Sequence, residues 1–257
     1  LAAAYDSEVC DIFVRDRQKI IRRWLQARGL LRDRRTVLDL GCGIGSLFKL
    51  HGRHFGEKTG TDHSRRMLQI AARRCRAVPD CRWQRADARG LPPALRDYAD
   101  LVVCSNVITF VSAAACRRAM SETVRGAKPG GWLLFILPAL ESHDQVVAVE
   151  SGRPPATRPA PTAIVRRDDR MQRFYTAAGA RQLAARAGLQ SITVRKVWYP
   201  WSDEGVARPP RSAEPPLDKG QHPVWAVVST LLLGGFVWWV SGSWVIAVAA
   251  IWGLLVH

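Results

Sequence analysis

Short apolar runs alternate with amphipathic stretches through the first 140 residues of the chain. Five runs have the length and composition of buried β-strands, near 36–40, 57–62, 82–86, 99–104 and 131–137. Between them, apolar positions recur at helical spacing near 45–55, 64–77 and 112–126. Strands that alternate with helices in this way predict an α/β fold with a doubly wound, mainly parallel sheet.

The regions on either side of this alternation are less regular. A helix is expected over 12–28, another over 175–187, and one more strand over 191–199. Residues 141–174 show little periodicity and are long for a connection without structure of its own. No clear last strand follows 199, so either it lies within 162–174, with 163–165 as the candidate, or the sheet is truncated.

The first predicted strand ends in a glycine-rich turn. Asp39 is followed by Gly41, Gly43 and Gly45. Glycine allows a sharp turn and a close approach of a ligand, and the helix that follows offers unpaired N–H groups. This arrangement predicts a cradle for a nucleotide-type cofactor. A dinucleotide-binding turn would need its third glycine where Ser46 stands, so the spacing departs from that pattern.

Four further signals follow the turn in order along the chain. Asp62 ends the second strand, 23 positions after Asp39, near the spacing at which a carboxylate meets ribose hydroxyls; the alternative role is a helix cap. Asp87 and Ala88 precede a Leu-Pro pair. Ser105 and Asn106 end the fourth strand, and the turn Lys-Pro-Gly-Gly at 128–131 precedes the fifth.

Together these motifs resemble those of class I S-adenosylmethionine (SAM)-dependent methyltransferases of the small-molecule and quinone type. The resemblance implies a Rossmann-like fold, SAM as the cofactor, Asp62 at its ribose and Asp87 at its adenine amino group. It also implies that residues 141–174 form an insertion that covers the substrate. The residues so implied to bind the cofactor are Asp39, Gly41, Cys42, Gly43, Gly45, Asp62, His63, Asp87, Ala88, Ser105 and Asn106.

No residue stands out as the general base, and in-line methyl transfer can depend largely on positioning. His143, Asp144 and Tyr175 are the candidates, although each also fits a surface or packing role. The six cysteines form no C-x-x-C pair and no Cys/His cluster with metal-ligand spacing. We therefore expect a reduced, cytoplasmic protein without a metal.

The composition changes after residue 200. Residues 201–223 contain five prolines among charges and predict an extended linker. Residues 224–256 contain no charged side chain, and 33 residues exceed the roughly 20 needed to cross a bilayer. They predict a transmembrane segment, either one helix between Trp225 and Trp244 or a helical hairpin turning at 241–243. The hairpin is favoured because a single span would leave 245–256 exposed.

Charge predicts the orientation of this segment. The chain has a net charge of +16, and all 38 Lys and Arg residues precede position 220. Excess positive charge before an apolar tail places residues 1–200, the predicted catalytic domain, on the cytoplasmic side of a membrane, here a bacterial inner membrane. Codon usage in a GC-rich genome explains the arginine-rich composition equally well.

The function that these features predict is SAM-dependent methyl transfer to a small, lipophilic or membrane-associated acceptor. A nucleic-acid methyltransferase is the first alternative, but the residues at 105–108 lack the Pro-Pro-aromatic motif of base-amino methyltransferases. A SAM-binding membrane scaffold without catalysis is the second. The sequence does not determine the oligomeric state.

Overall fold

The computed structural model of the chain describes residues 12–16, 19–32, 34–144, 160–167, 170–200, 221–229 and 245–250. The predicted linker at 201–223 lies almost entirely outside these ranges. So do the middle of the predicted cover insertion and residues 230–244 and 251–256 of the tail.

Five parallel strands form the centre of the main sheet, in the order β3-β2-β1-β4-β5. Their positions confirm the predicted alternation, and β1 is buried along its whole length because both of its faces are covered. The chain reverses direction across the sheet between β1 and β4, and ligands of such sheets bind where this happens, at the carboxyl ends of the strands. The bounds are β1 Val37–Leu40, β2 Lys58–Asp62, β3 Cys81–Arg85, β4 Ala99–Ser105 and β5 Ala127–Leu137.

Six helices accompany these strands in the described part of the chain. Two of them begin with a serine whose hydroxyl accepts a backbone N–H of the first turn: Ser64 from Met67, and Ser112 from Ala115. The bounds are α1 Ile12–Arg15, α2 Ile20–Ala27, α3 Ser46–His51, α4 Arg65–Arg74, α5 Ala113–Gly126 and α6 Ala177–Arg186.

The single helix expected over 12–28 is two helices. Asp16 separates them, and its carboxylate accepts the N–H groups of Ile20 and Ile21 at 2.8 Å each. These bonds satisfy the free donors at the start of α2. Lys19 adopts a left-handed conformation, with φ 54°, just before that start. The prediction was wrong here because apolar periodicity continues across a break that a side chain stabilises.

A separate two-stranded sheet follows the fifth strand. It consists of β6 Thr162–Arg167 and β7 Arg170–Tyr175, an antiparallel hairpin that pairs with itself and not with the main sheet. The candidate strand 163–165 therefore exists, but it does not complete the main sheet. The strand expected over 191–199 is confirmed as β8 Gln190–Pro200.

The main sheet is completed instead by the apolar tail. β9 Gln221–Ser229 and β10 Val245–Ala250 each pair antiparallel with β5 and with β8. Both register against residues 134–137 of β5. Neither the missing strand nor its source was predicted correctly.

The predicted transmembrane segment overlaps the same strands. The helix predicted over 224–256 is wrong for the described residues, because 221–229 and 245–250 are β-strands. Membrane crossing by this segment stays a prediction. Among the described residues, no helix combines the length and the apolar composition needed to span a bilayer. The physical reason is that a central strand of a sheet covered on both faces is as apolar as a membrane segment, so hydropathy does not distinguish the two.

Candidate functional site

The glycine turn after β1 is locked onto the neighbouring strand. Gly41, Gly43 and Gly45 have φ of 78°, 51° and 77°, a left-handed backbone that other residues rarely adopt. The N–H groups of Gly41 and Cys42 both donate to the carbonyl of Thr61 in β2, at 2.8 Å. The turn therefore has one fixed shape at the carboxyl end of β1, as its glycine spacing predicted.

The side chains beside this turn are buried. Asp39 is 2% exposed and Cys42 is 8% exposed. Burial, followed by the nearby carboxylates of Asp39 and Asp62, raises the pKa of the Cys42 thiol well above its usual range. Cys42 is therefore a neutral packing residue of the turn and not a nucleophile.

Asp62, at the end of β2, connects the turn to the next helix. Its Oδ2 accepts the N–H of Gly43 at 3.0 Å, and its Oδ1 accepts the N–H of Ser64 at 2.8 Å. His63 lies beside it, with Nδ1 at 3.4 Å from Oδ1 and a side chain that is 85% exposed. The cap of α4 is Ser64. Asp62 therefore organises the glycine turn, and its capping contact is secondary.

Asp87 lies in the turn after β3, and its neighbour Ala88 is half-buried. Asp87 is paired with Arg89, a residue that the sequence did not single out. The Nε and Nη2 of Arg89 donate to its two carboxylate oxygens at 2.9 and 2.6 Å. These bonds from Arg89 lower the pKa of Asp87 to about 2. A second unpredicted residue is Glu122, whose Oε2 accepts the N–H of Leu91 at 3.0 Å and so fixes the exit of this loop. The contact of Glu122 joins residues 31 positions apart and has no local sequence signature.

The exit of β4 faces the glycine turn. Asn106 has a left-handed backbone, with φ 56°, and its N–H donates to Ile136 at 2.8 Å. Its side-chain Oδ1 is buried and has no hydrogen-bond partner in the described structure. Val107 follows, and its Cγ2 would lie 2.2 Å from a Cβ placed on Gly41. The loop at 106–111 is thus in direct contact with the turn, with Ser105 half-buried beside it.

The same loop is attached to the β6–β7 hairpin. The hydroxyl of Tyr175 donates to the carbonyl of Ile108 at 2.7 Å. The guanidinium of Arg173 donates to the carbonyls of Phe110, at 3.1 Å, and Val111. Burial raises the pKa of Tyr175, whose side chain is almost inaccessible. The hydroxyl of Tyr175 is thus held in a buried bond that fastens the hairpin to this loop, and its role as a base stays a prediction.

The other two candidate bases lie after β5. The ring of His143 contacts Phe174, with centroids 5.6 Å apart, and Asp144 is 8% exposed. His143 therefore lies against the hairpin, and the roles of both residues as bases stay predictions.

Part of the chain matches a known family model. Residues 37–131 match the family model described as "Methyltransferase domain". This range begins with β1 and ends inside β5, so it includes the glycine turn, Asp62, Asp87 and Asn106. Residues 37–131 therefore resemble a methyltransferase domain, in agreement with the predicted enzyme class and cofactor.

Two curated relatives resemble the same region. The trans-aconitate 2-methyltransferase of Azoarcus sp. (strain BH72) is 34% identical over 118 residues, which are 45% of this chain and 44% of that protein. The ubiquinone biosynthesis O-methyltransferase of Paracidovorax citrulli (strain AAC00-1) is 29% identical over 114 residues, 44% of this chain and 47% of that protein. The chain thus matches slightly less than half the length of each.

A solved structure shows the same fold over more of the chain. Magnesium protoporphyrin IX methyltransferase of Synechocystis PCC 6803, solved with bound SAH, has a TM-score of 0.56 at 18% identity. The similarity covers 90% of this chain and 80% of that one. It confirms the predicted Rossmann-like α/β fold, with a parallel central sheet.

Proposed function

We propose that this protein transfers a methyl group from SAM to a small, lipophilic acceptor. The observation that carries the proposal is the contact between Asp62 and Gly43, because it joins a left-handed glycine turn to an acidic strand end at the switch point of the sheet. The relatives that act on ubiquinone precursors and on a porphyrin, by their names, support a lipophilic acceptor.

The residues present fit SAM. The glycine turn lies against Asp62, which is placed where ribose hydroxyls bind in such folds, and Asp87 with the Ala88 N–H suits an adenine edge. The unpartnered Oδ1 of Asn106 is an acceptor in need of a donor. Bound SAM would supply an electrophilic methyl group on a sulfonium ion.

The contribution of the chain is then orientation and exclusion of water. The loop at 106–111 touches the glycine turn through Val107 and is fixed to the hairpin by Arg173 and Tyr175. An acceptor would bind between this loop and the turn. Positioning of two reactants is worth up to about 7–11 kcal/mol of the barrier, so a dedicated base is not required.

The protein is further proposed to act at the cytoplasmic face of a bacterial inner membrane. The support is the stretch at 224–256, which carries no charged residue, next to a body with a net charge of +16. The described strands β9 and β10 account for only part of this stretch. Such sequence is stabilised by a bilayer.

The test is transfer of label from methyl-labelled SAM by the purified full chain. A membrane lipid extract and total RNA are offered in separate reactions, and the Asp62→Ala variant serves as the inactive control. We expect label in the organic phase. Label confined to RNA would indicate the nucleic-acid methyltransferase, and SAM binding without transfer to either would indicate the scaffold. The location is tested separately by cell fractionation with an alkaline carbonate wash, which should leave the protein in the membrane pellet.

A further inference from the structure

One corner of the molecule concentrates exposed apolar side chains. Five large apolar residues are clearly exposed in the described part of the chain, and three of them lie on the β6–β7 hairpin or on the loop attached to it. Ile164 is 40% exposed, Met171 50% and Val111 47%. Clustered exposed apolar residues cost free energy in water and are typical of a binding surface.

The pairing of the hairpin shows that these residues share one face. Ile164 lies opposite Arg173, and Arg166 lies opposite Met171. Residues that are directly opposite, or two apart on one strand, point to the same side of a sheet. All four therefore belong to one face, whereas Val165 and Phe174 on the other face are buried against Leu140.

The exposed face continues onto the loop at 106–111. Arg173 connects the two, because its guanidinium donates to the carbonyl of Val111 while its neighbour across the strand is Ile164. We call the combined patch of Val111, Ile164, Arg166, Met171 and Arg173 the hairpin surface. It is continuous with the loop that contacts the glycine turn, since Val107 of the same loop lies against Gly41.

The charge of this patch indicates its partner. Residues 162–175 contain four arginines and two aspartates, a net charge of +2, and the chain as a whole carries +16. Apolar side chains interspersed with arginine suit an anionic bilayer surface, where the apolar groups enter the interface and the guanidinium groups meet phosphates. A neutral or basic protein partner would not satisfy these charges.

We propose that the hairpin surface docks on an anionic phospholipid bilayer and places the loop at 106–111 against it. The choice of a bilayer as the occupant rests on the proposed function, in which the acceptor is lipophilic. Docking of the hairpin surface is distinct from any insertion of residues 224–256. It uses other residues, and its arginines make it sensitive to salt.

The test measures binding of the full chain to sedimented vesicles. Vesicles of phosphatidylglycerol with phosphatidylcholine are compared with vesicles of phosphatidylcholine alone, at low and high salt. The variant Ile164→Glu/Met171→Glu is compared with Leu50→Glu, which alters a residue of α3 that is 46% exposed and lies outside the surface. Circular dichroism and SAM binding establish that each variant is folded.

We expect the double variant to bind the anionic vesicles at least about tenfold more weakly, because two apolar anchors are lost, while Leu50→Glu binds like the wild type. Wild-type binding should also weaken in high salt and on neutral vesicles. Unchanged binding of the double variant would assign membrane contact to the tail and overturn the proposal. The proposal would also be overturned if the wild type were a dimer and the double variant a monomer, because the hairpin surface would then bind a second copy of the chain. Neither result depends on methyl transfer. A failure of the docking proposal can therefore be distinguished from a failure of the proposed function.

Discussion

The carboxylate of Asp62 accepts the backbone N–H of Gly43 at 3.0 Å, across 19 positions of sequence. One oxygen of a buried side chain thereby holds the middle glycine of the turn, while the other fixes the start of α4 through Ser64. The cofactor cradle is therefore built by two strand ends together and not by the glycines alone.

Replacing Asp62 should weaken SAM binding. Asp62→Asn keeps the size of the side chain but removes the charge that two N–H groups and a ribose would share. Since hydrogen bonds to a charged group contribute about 1.5–3 kcal/mol, we expect the Kd for SAM to rise about ten- to hundredfold. Calorimetric titration measures it. Asp80→Asn, at a half-exposed carboxylate outside the site, is the matched control and should leave the Kd unchanged.

Gly41→Ala should destabilise the protein in two separable ways. The left-handed φ of 78° costs an alanine about 1–2 kcal/mol. Its Cβ would also meet Val107 at 2.2 Å, an overpacking that costs about 1–3 kcal/mol more. Urea denaturation of Gly41→Ala, Val107→Ala and the double variant measures the coupling. The double variant should lose less free energy of unfolding than the two single variants together. The second substitution removes the clash with Val107, but the backbone strain at position 41 remains.

Gly90→Ala is the control for this series, since no atom lies within 4 Å of a Cβ placed there. It should change the free energy of unfolding little. Purely additive effects of Gly41→Ala and Val107→Ala would contradict the contact between the turn and the loop.

Tyr175→Phe should reduce the stability of the protein without removing a titrating group from the pH dependence of kcat. The variant leaves the buried carbonyl of Ile108 without its donor, which costs about 1–3 kcal/mol. The pH profile of kcat should keep its shape, because the hydroxyl is a buried donor. Tyr98→Phe, which removes a contact to Thr59 far from the loop, is the control. A folded Tyr175→Phe enzyme that lost an apparent pKa from its profile would identify Tyr175 as a base.

Arg89→Gln should change the ionisation of Asp87. The bonds from Arg89 lower the pKa of Asp87 to about 2, from an ordinary value of 3.8. Because the pKa of Asp87 is lowered in the folded protein, its carboxylate stays ionised as the pH falls and becomes protonated only near pH 2. In the variant the pKa should return toward 3.8, as measured by carboxyl carbon NMR. Arg85→Gln removes a nearby charge that does not bond Asp87, and should shift the pKa much less.

His51 should make stability depend on pH. Burial, assisted by the charge of Arg22, lowers the pKa of His51 to about 4 from an ordinary 6.5. The unfolded chain therefore takes up a proton in this window while the folded protein does not. Stability is fully present above pH 6.5 and falls as pH decreases from 6.5 to 4. Urea midpoints across this window should fall less for His51→Gln than for the wild type. Above about pH 7 the two curves should run parallel.

Much of the fold could be predicted from local pattern. The five parallel strands, α4, α5 and α6 follow from apolar periodicity and from turn glycines, because each element is specified by residues close to it in sequence. The turn at Gly41, Gly43 and Gly45 and the strand-end positions of Asp62 and Asp87 were predictable for the same reason. α1 and α2 were not distinguished, because the bonds from Asp16 that separate them leave the apolar period unchanged.

The sequence by itself determined the class of domain and the strand ends that carry its cofactor residues, since both depend on spacing along one chain. The tertiary structure decided everything that depends on contacts between distant residues. It paired Leu91 with Glu122, fixed Tyr175 to Ile108, and brought residues 221–229 and 245–250 to the edge of β5. An apolar composition shows that a segment is more stable when it is removed from water. Whether it is buried in a bilayer or in a sheet depends on the partners available for its backbone hydrogen bonds.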